Sequence, residues 1–432
     1  MKPSLRREIG LFEAVAFGVG TILGAGIYAL IGPASGLAGN AVWISFVIGA
    51  VISSFTGLSY AELSTMFPKA AAEYVFAREA FNSRFWAFLL GWLIVFAGVV
   101  SVSTVAIGFA SYVKSYVNLP VSILAIVLIG FLSLVNYAGI QESSRVNILF
   151  MIVEIFGLLF VTILGLSRFP SVDYLETASG TGGLLAASAL IFFAYLGFED
   201  IVNIAEEMEN PEKTIPKALI LSIIVATAFY VLVAVATVSL ADWRQLSTSD
   251  APLAYAVSQV LGANAFLMLS VIALFATANT VLILLVVGSR MVYGMSRDGA
   301  LPLALSKIDG RTGVPRVAIF TTMVLSMVFA SIGDLRLIAG VTNFATFLIF
   351  AFVNFSLIWL RYKQPGLRRP FRVPLNIGWF PLMPFLGLIS CMFLLLHISS
   401  SAMIIGFVAL GLGAIVYRTL GTRQEELHGI SA

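Results

Sequence analysis

The chain has 432 residues, 59% of them hydrophobic and 11% charged, with a mean hydropathy of +1.00. Soluble domains carry about 25% charged residues, so this composition excludes a soluble globular fold and sends the surplus apolar surface to a lipid bilayer. The formal charge of +3 gives no reason to expect a nucleic-acid partner, and one cysteine (Cys391) with two histidines (His397, His428) excludes a disulfide framework and a histidine or cysteine metal centre.

No metal and no cofactor is expected. Met1 to Arg7 is short and basic, but the apolar run behind it is too long for a signal-peptide core and lacks a small-residue cleavage pattern. No removed targeting segment is expected. Apolar runs fall at about 11–37, 41–67, 86–113, 119–138, 146–167, 184–203, 215–241, 262–293, 316–333, 336–361, 377–397 and 400–418. At about 20 residues per crossing they predict twelve spans in a single membrane domain over 1–432, all-α in class. Of the 25 lysines and arginines, only Lys114, Arg168, Arg244 and Arg336 fall on one side of the resulting topology. The other 21 lie with both termini, which the positive-inside rule assigns to the cytoplasm.

The first span contains Gly18-Val19-Gly20-Thr21-Ile22-Leu23-Gly24-Ala25-Gly26-Ile27-Tyr28. Each interior glycine weakens a helix by roughly 0.5–1 kcal/mol relative to alanine, and Gly24 and Gly26, one residue apart, predict a break. At membrane depth an open backbone survives only inside protein or along a cavity. The sixth span carries a second interruption, Phe193-Ala194-Tyr195-Leu196-Gly197-Phe198, followed by Glu199 and Asp200. Spans one and six correspond if the first ten spans form two five-span repeats, and paired interruptions at such positions point to a binding site. Close helix packing by small residues is the competing explanation for the glycines.

Six stretches in order then carry a resemblance. They are Ile22–Tyr28, Tyr60-Ala61-Glu62-Leu63 with Phe67-Pro68 and Glu73-Tyr74-Val75, Phe192 to Glu199, Glu206-Glu207 with Asn210-Pro211 and Pro216, Ser289 to Pro302, and Arg369-Pro370-Phe371-Arg372-Val373-Pro374. Together they resemble the amino acid–polyamine–organocation transporters along nearly the whole chain. The resemblance implies a LeuT-type fold with core repeats at about 11–167 and 184–361, broken helices one and six, and peripheral helices over about 377–418. It also implies a secondary transporter that moves an amino acid by alternating access, by proton symport or exchange, with sodium as the other coupling ion.

Half-helix N-termini offer N–H groups to a carboxylate and half-helix C-termini offer carbonyls to an ammonium group. Following the family, the amides of Ala25 and Gly26 beyond Gly24 are expected to hold the substrate carboxylate. The carbonyls of Ile22, Phe193 and Leu196 are expected to hold its ammonium group. Phe193 matches the family's outer gate, against the plain alternative of lipid-facing filler, and Tyr28 and Tyr195 are weaker candidates that tyrosine's preference for the interface explains equally well. Glu154, Glu199 and Asp200 lie at membrane depth, where a charge costs about 2.5–3.5 kcal/mol on insertion scales, so each is a candidate for coupling or gating. Glu199 matches a family position linked to proton coupling or inner gating; steadying the broken helix is its structural alternative. Asp200 is read as facing the cytoplasmic vestibule. Glu154 departs from the lysine common at its position in proton-coupled members, so the lysine-for-sodium mechanism does not carry over, and proton carriage, cation binding and pairing with a basic group all stay open.

The cationic-substrate branch often reads Leu-Glu-Tyr after Gly-Trp; here Gly91-Trp92 leads to Val95-Phe96-Ala97. A neutral substrate is therefore expected, with a cationic amino acid or polyamine as the alternative. Ser101, Thr104, Thr277, Asn279, Asn343 and Thr346 are candidates for the side-chain end, and Thr277 and Thr280 for a sodium site. Ala71-Ala72 replaces the family's glycine pair in what reads as a stiffened turn. An intramembrane enzyme is excluded because Cys391 and His397 do not share a helix face; a non-transporting amino acid sensor and a partner-dependent subunit remain rivals. Oligomeric state is not legible in the sequence.

Overall fold

The computed structural model describes residues 10–67, 72–114, 116–138, 140–297, 299–309 and 314–428. Of the motifs quoted above, Pro68, Ala71 and Asp298 lie outside the described residues. So do the Met1–Arg7 stretch and the side chains of Ala72, Glu206, Glu207 and His428.

Among the described residues the regular structure is helical, apart from two paired two-residue strands at Asn376–Ile377 and Phe380–Pro381. The first span is two helices, α1 (Leu11–Ile22) and α2 (Ala25–Ala38), which meet at a bend over Leu23 and Gly24. Then come α3 (Val42–Met66), α4 (Ala72–Phe81), α5 (Arg84–Lys114), α6 (Val121–Ala138) and α7 (Ile140–Leu166). The sixth span opens as α8 (Gly180–Ile191), tightens to a 3-10 turn at Phe192–Tyr195, opens at Leu196–Gly197 and resumes as a second 3-10 segment, Phe198–Glu207. After it come α9 (Pro211–Leu240), the short α10 (Trp243–Thr248) and α11 (Pro252–Leu261), then α12 (Ala263–Arg297), α13 (Arg316–Ala330) and α14 (Leu335–Lys363). The chain closes with α15 (Leu382–Leu395) and α16 (Ser400–His428).

Among the described residues, seven helical stretches are long and apolar enough to cross a membrane, with six shorter apolar helices beside them. Every apolar run read from the sequence coincides with one of the helices, as a multi-span membrane protein requires. Helices five spans apart pack on one another: α2 on α8, α3 on α9, α5 on α12 and α6 on α13. α15 and α16 pack outside, on α14 and on α3 or α5. Small residues permit the closest approaches, as in lipid they should. Gly165 of α7 lies directly on Ala236 of α9, and Gly406 of α16 on the Phe344 ring of α14.

Lys114 ends α5, Arg168 follows α7, Arg244 sits in α10 and Arg336 opens α14, which puts all four on one end of the helix stack. The other described basic residues gather at the opposite end, called here the basic face.

Three elements differ from the sequence reading. The stretch after Phe67 is a helix from Ala72 rather than a turn. It buries Glu73, Phe76 and Ala77 against the bundle. The 241–262 connection holds α10 and α11, whose signals are local: Asp242 accepts the Arg244 amide at 2.7 Å as an N-cap, Pro252 opens α11, and Gly262 (φ +77°) ends it. Tyr28 and Tyr195 are fully buried instead of anchored at the interface, with Tyr28 donating to the Glu154 carbonyl (3.0 Å) and Tyr195 to the Phe46 carbonyl (2.9 Å).

Candidate functional site

The two interruptions meet at mid-depth. At the first, α1 ends when the Leu23 amide returns to the Val19 carbonyl (2.8 Å) and the Gly24 amide to the Ile22 carbonyl (2.7 Å). α2 then starts afresh at Ala25, and its first-turn amides have no intrahelical acceptor. A Cβ on Gly24 would stand 3.0 Å from Thr280 Oγ1, and one on Gly26 would stand 2.6 Å from Ala194 Cα. The glycines therefore serve both readings at once, since they break the helix and let the second break come close. At the second, Gly197 has φ +113°, and a Cβ there would meet the Thr21 carbonyl at 2.8 Å. Only glycine fits that conformation and that contact without strain.

Four side chains bind the breaks together. The Tyr230 hydroxyl of α9 shares its one proton between the Ile22 carbonyl and the Ala194 carbonyl, the latter at 2.7 Å. Thr21 Oγ1 donates to the Gly197 carbonyl at 3.0 Å. Thr280 Oγ1 of α12 accepts the Ala25 amide at 3.3 Å. The Glu199 carboxylate accepts the Gly197 amide at 2.9 Å, so it steadies the second break from within.

A cavity of about 150 Å³ opens against these breaks, the size that accepts a benzene ring. Gly24, Ala25, Gly26, Ile22, Phe193 and Leu196 all line it. Ile94, Ala97, Gly98 and Ser101 of α5 and Ile283, Leu284 and Val287 of α12 form its walls, and Thr346, Ile349 and Phe350 of α14 contribute the remainder. Toward the basic face it runs past Glu199, Asp200 and Tyr60 to Glu73 and Met291. Toward the other face, Phe193 is buried in the same apolar cluster as Ala25, Leu30, Val100 and Leu190, and Gly108 of α5 sits so close to Ala29 that a Cβ would come within 2.9 Å. No lysine, arginine or histidine is among the described lining residues.

The structure does not bring all the candidates together. Glu154 is buried in α7 behind α2 and does not line the cavity; its carbonyl takes the Tyr28 hydroxyl, and its Oε1 has no hydrogen-bond partner among the described residues. Both lone pairs of the Ile22 carbonyl are taken, by Tyr230 and the Gly24 amide, so in this conformation Ile22 is tied to α9 rather than open to a ligand. The Phe193 carbonyl accepts the Leu196 amide at 3.2 Å, which leaves it one lone pair. Ser101, Asn279, Thr280 and Thr346 line the cavity, whereas Thr104 and Thr277 turn back to their own helices at Val100 and Ala273. Asn343 caps the end of α8 through the Ala189 and Leu190 carbonyls.

Two further features escaped the sequence reading. Tyr230 gave no signal, being one tyrosine in an apolar helix. Glu73 lay inside a recognised motif without a role; in the structure its Oε1 accepts the Tyr60 hydroxyl at 3.1 Å, and burial pushes its carboxyl above the usual carboxylate range. Below them, Glu62 is fully buried between two arginines. Arg361 Nε donates to Oε1 (2.9 Å) and its Nη2 to Oε2, Arg369 Nε stands 3.3 Å from Oε1, and the Val373 amide donates at 2.8 Å. The Arg369 to Pro374 motif is thus the loop that closes a buried ion network joining α3 and α14.

A family model described as amino acid permease matches residues 9–420. The branched-chain amino acid permease BcaP of Bacillus subtilis is 31% identical, over 98% of this chain and 95% of its own. BcaP of Lactococcus lactis subsp. cremoris is 24% identical over 96% and 94%, and the vacuolar cationic amino acid transporter 4 of Arabidopsis thaliana 29% over 84% and 64%. A match across nearly the whole chain agrees with paired helix breaks that line a common cavity, and the chain belongs to the amino acid permease family, a transporter rather than an enzyme.

Proposed function

We propose that the protein carries a neutral, branched or otherwise apolar amino acid across the cell membrane by alternating access, with both termini in the cytoplasm. One observation carries the substrate class: the α5 and α12 walls beside the helix breaks are largely aliphatic, and no cation is among the described lining residues. The substrate carboxylate lies on the first-turn amides of α2, at Gly26 and at Ala25 once its amide leaves Thr280 Oγ1, where the helix dipole favours negative charge. The ammonium group lies against the open carbonyls of Phe193 and Leu196, while Ile22 stays tied to Tyr230. The side chain faces α5 and α12. Phe193 closes the outer side over it, and in the conformation described the path leads to the basic face. The names of the two BcaP relatives support a branched-chain substrate.

Protons drive the cycle in this reading. Glu199 lines the route between cavity and basic face. Glu154, with one carboxylate oxygen unpartnered behind the first break, can change charge as the break rearranges. Uptake of leucine, isoleucine and valine into proteoliposomes, at two pH values and with or without sodium, tests the assignment. Glu154→Gln and Glu199→Gln variants each shift the pH dependence; a pH profile unchanged from wild type in both would sink the coupling reading. Absence of uptake despite ligand-induced thermal stabilisation would favour a sensor.

A second reading has its own support. Three carboxylates, Glu73, Glu199 and Asp200, line the inner part of the cavity, and one relative is named a cationic amino acid transporter. Lysine or arginine outcompeting leucine in the same assay would establish it in place of the first.

A further inference from the structure

We infer that Gly98 of α5 sets the upper size limit of the transported side chain. This rests on the amino acid reading above and names the residue that filters within it. Gly98 sits midway along a 31-residue helix, where glycine is less favourable than alanine. Such a residue needs a reason. Elsewhere on α5 the reason is packing: a Cβ on Gly91 would lie 3.0 Å from Met295 Cε, and one on Gly108 would lie 2.9 Å from Ala29 Cβ. At Gly98 a Cβ would meet nothing within 4 Å, and the backbone there has negative φ, so neither neighbour nor conformation demands glycine. The space it leaves is the cavity itself, which Gly98 lines between Ala97 and Ser101, with Ile283, Leu284 and Val287 on the α12 wall. With the substrate backbone held at the two helix breaks, that space is where its side chain must go.

In a cavity of about 150 Å³, each methyl group added at position 98 removes room from the ligand alone. Fitting one methylene more or less into an apolar pocket changes discrimination by about 10–200-fold. The test is a substrate series of alanine, valine, leucine and phenylalanine on wild type, Gly98→Ala and Gly98→Val. Uptake in proteoliposomes is read beside ligand-induced thermal stabilisation of the purified protein. Gly98→Val raises KM for leucine and phenylalanine by about 10-fold or more while KM for alanine stays within about 2-fold, so the ranking shifts to small substrates. Gly98→Ala shifts it less and melts no lower than wild type. An equal change for all four substrates, an unaltered ranking, or a marked fall in the melting temperature of Gly98→Ala overturns the inference while leaving the transport reading intact. A wild type that neither takes up nor is stabilised by any of the four overturns both.

Discussion

Tyr230→Phe removes a single oxygen from the point where the two helix breaks meet. The ring stays in place, packed edge-on to Tyr195 at 5.2 Å between centroids and tilted against Phe46 at 5.3 Å. What is lost is the hydroxyl that spans the Ile22 and Ala194 carbonyls. A buried acceptor stripped of its donor costs about 1–3 kcal/mol. Ile22 keeps the Gly24 amide, so the Ala194 carbonyl bears most of the loss, and the total stays near about 1–3 kcal/mol. That energy corresponds to roughly a 5- to 150-fold change in the balance between the breaks held together and the breaks apart. KM for the preferred substrate therefore rises within that range, and the melting temperature of the purified protein falls by about 1–3 °C. Uptake kinetics in proteoliposomes and a thermal melt in detergent measure the two. If Tyr230→Phe matches wild type in both KM and melting temperature, the hydroxyl does not hold the breaks and the reasoning fails.

Gly26→Ala puts a Cβ 2.6 Å from the backbone of Ala194, which no rotamer can relieve, so uptake falls by more than about 10-fold; uptake close to wild type would show that the breaks need not touch. Glu62→Gln leaves Arg361 and Arg369 facing each other without a counter-charge in a buried site, and loss of a buried partner costs about 3–5 kcal/mol. Its thermal stability should fall well below that of Glu212→Gln, which breaks an exposed pair with Arg368. Glu73 gives a pH signature. Its carboxyl is raised by burial, so the folded state holds its proton to higher pH than the unfolded chain does. Proton linkage then makes stability fall as pH rises from the ordinary glutamate value, about 4.3, toward the raised one. Glu73→Gln flattens that slope in melts taken across the window; an unchanged slope counts against the assignment.

Much of the fold was legible because lipid imposes rules that act along the chain. A spanning segment must satisfy its own backbone, so apolar runs gave the spans, and glycine spacing gave the first break, and Gly197 followed by Glu199 and Asp200 the second, before any contact was known. Gly24 and Gly26 needed no partner to be informative. The 241–262 connection was missed although Asp242, Pro252 and Gly262 mark its helices, because those signals are short and lie outside the apolar periodicity. Glu73 was hidden for a different reason: its motif was read as a turn, and burial of an acid on a short amphipathic helix depends on what that helix packs against.

The sequence by itself determined that this is a multi-span helical membrane protein, that its first and sixth spans are interrupted, and that its charges divide unequally between two faces. Only the tertiary structure decided which groups meet at the interruptions. Tyr230 reaches Ile22 across 208 residues of chain, Thr280 reaches Ala25 across 255 and Thr21 reaches Gly197 across 176. The same packing turned Glu154 away from the cavity, filled the acceptor positions of Ile22 and left open space beside Gly98. Hydropathy fixes where a helix lies in the bilayer, but its rotation about its own axis and the neighbour it faces are set by side-chain packing summed over the whole bundle. For that reason the breaks could be read from composition and spacing, and the groups that hold them could not.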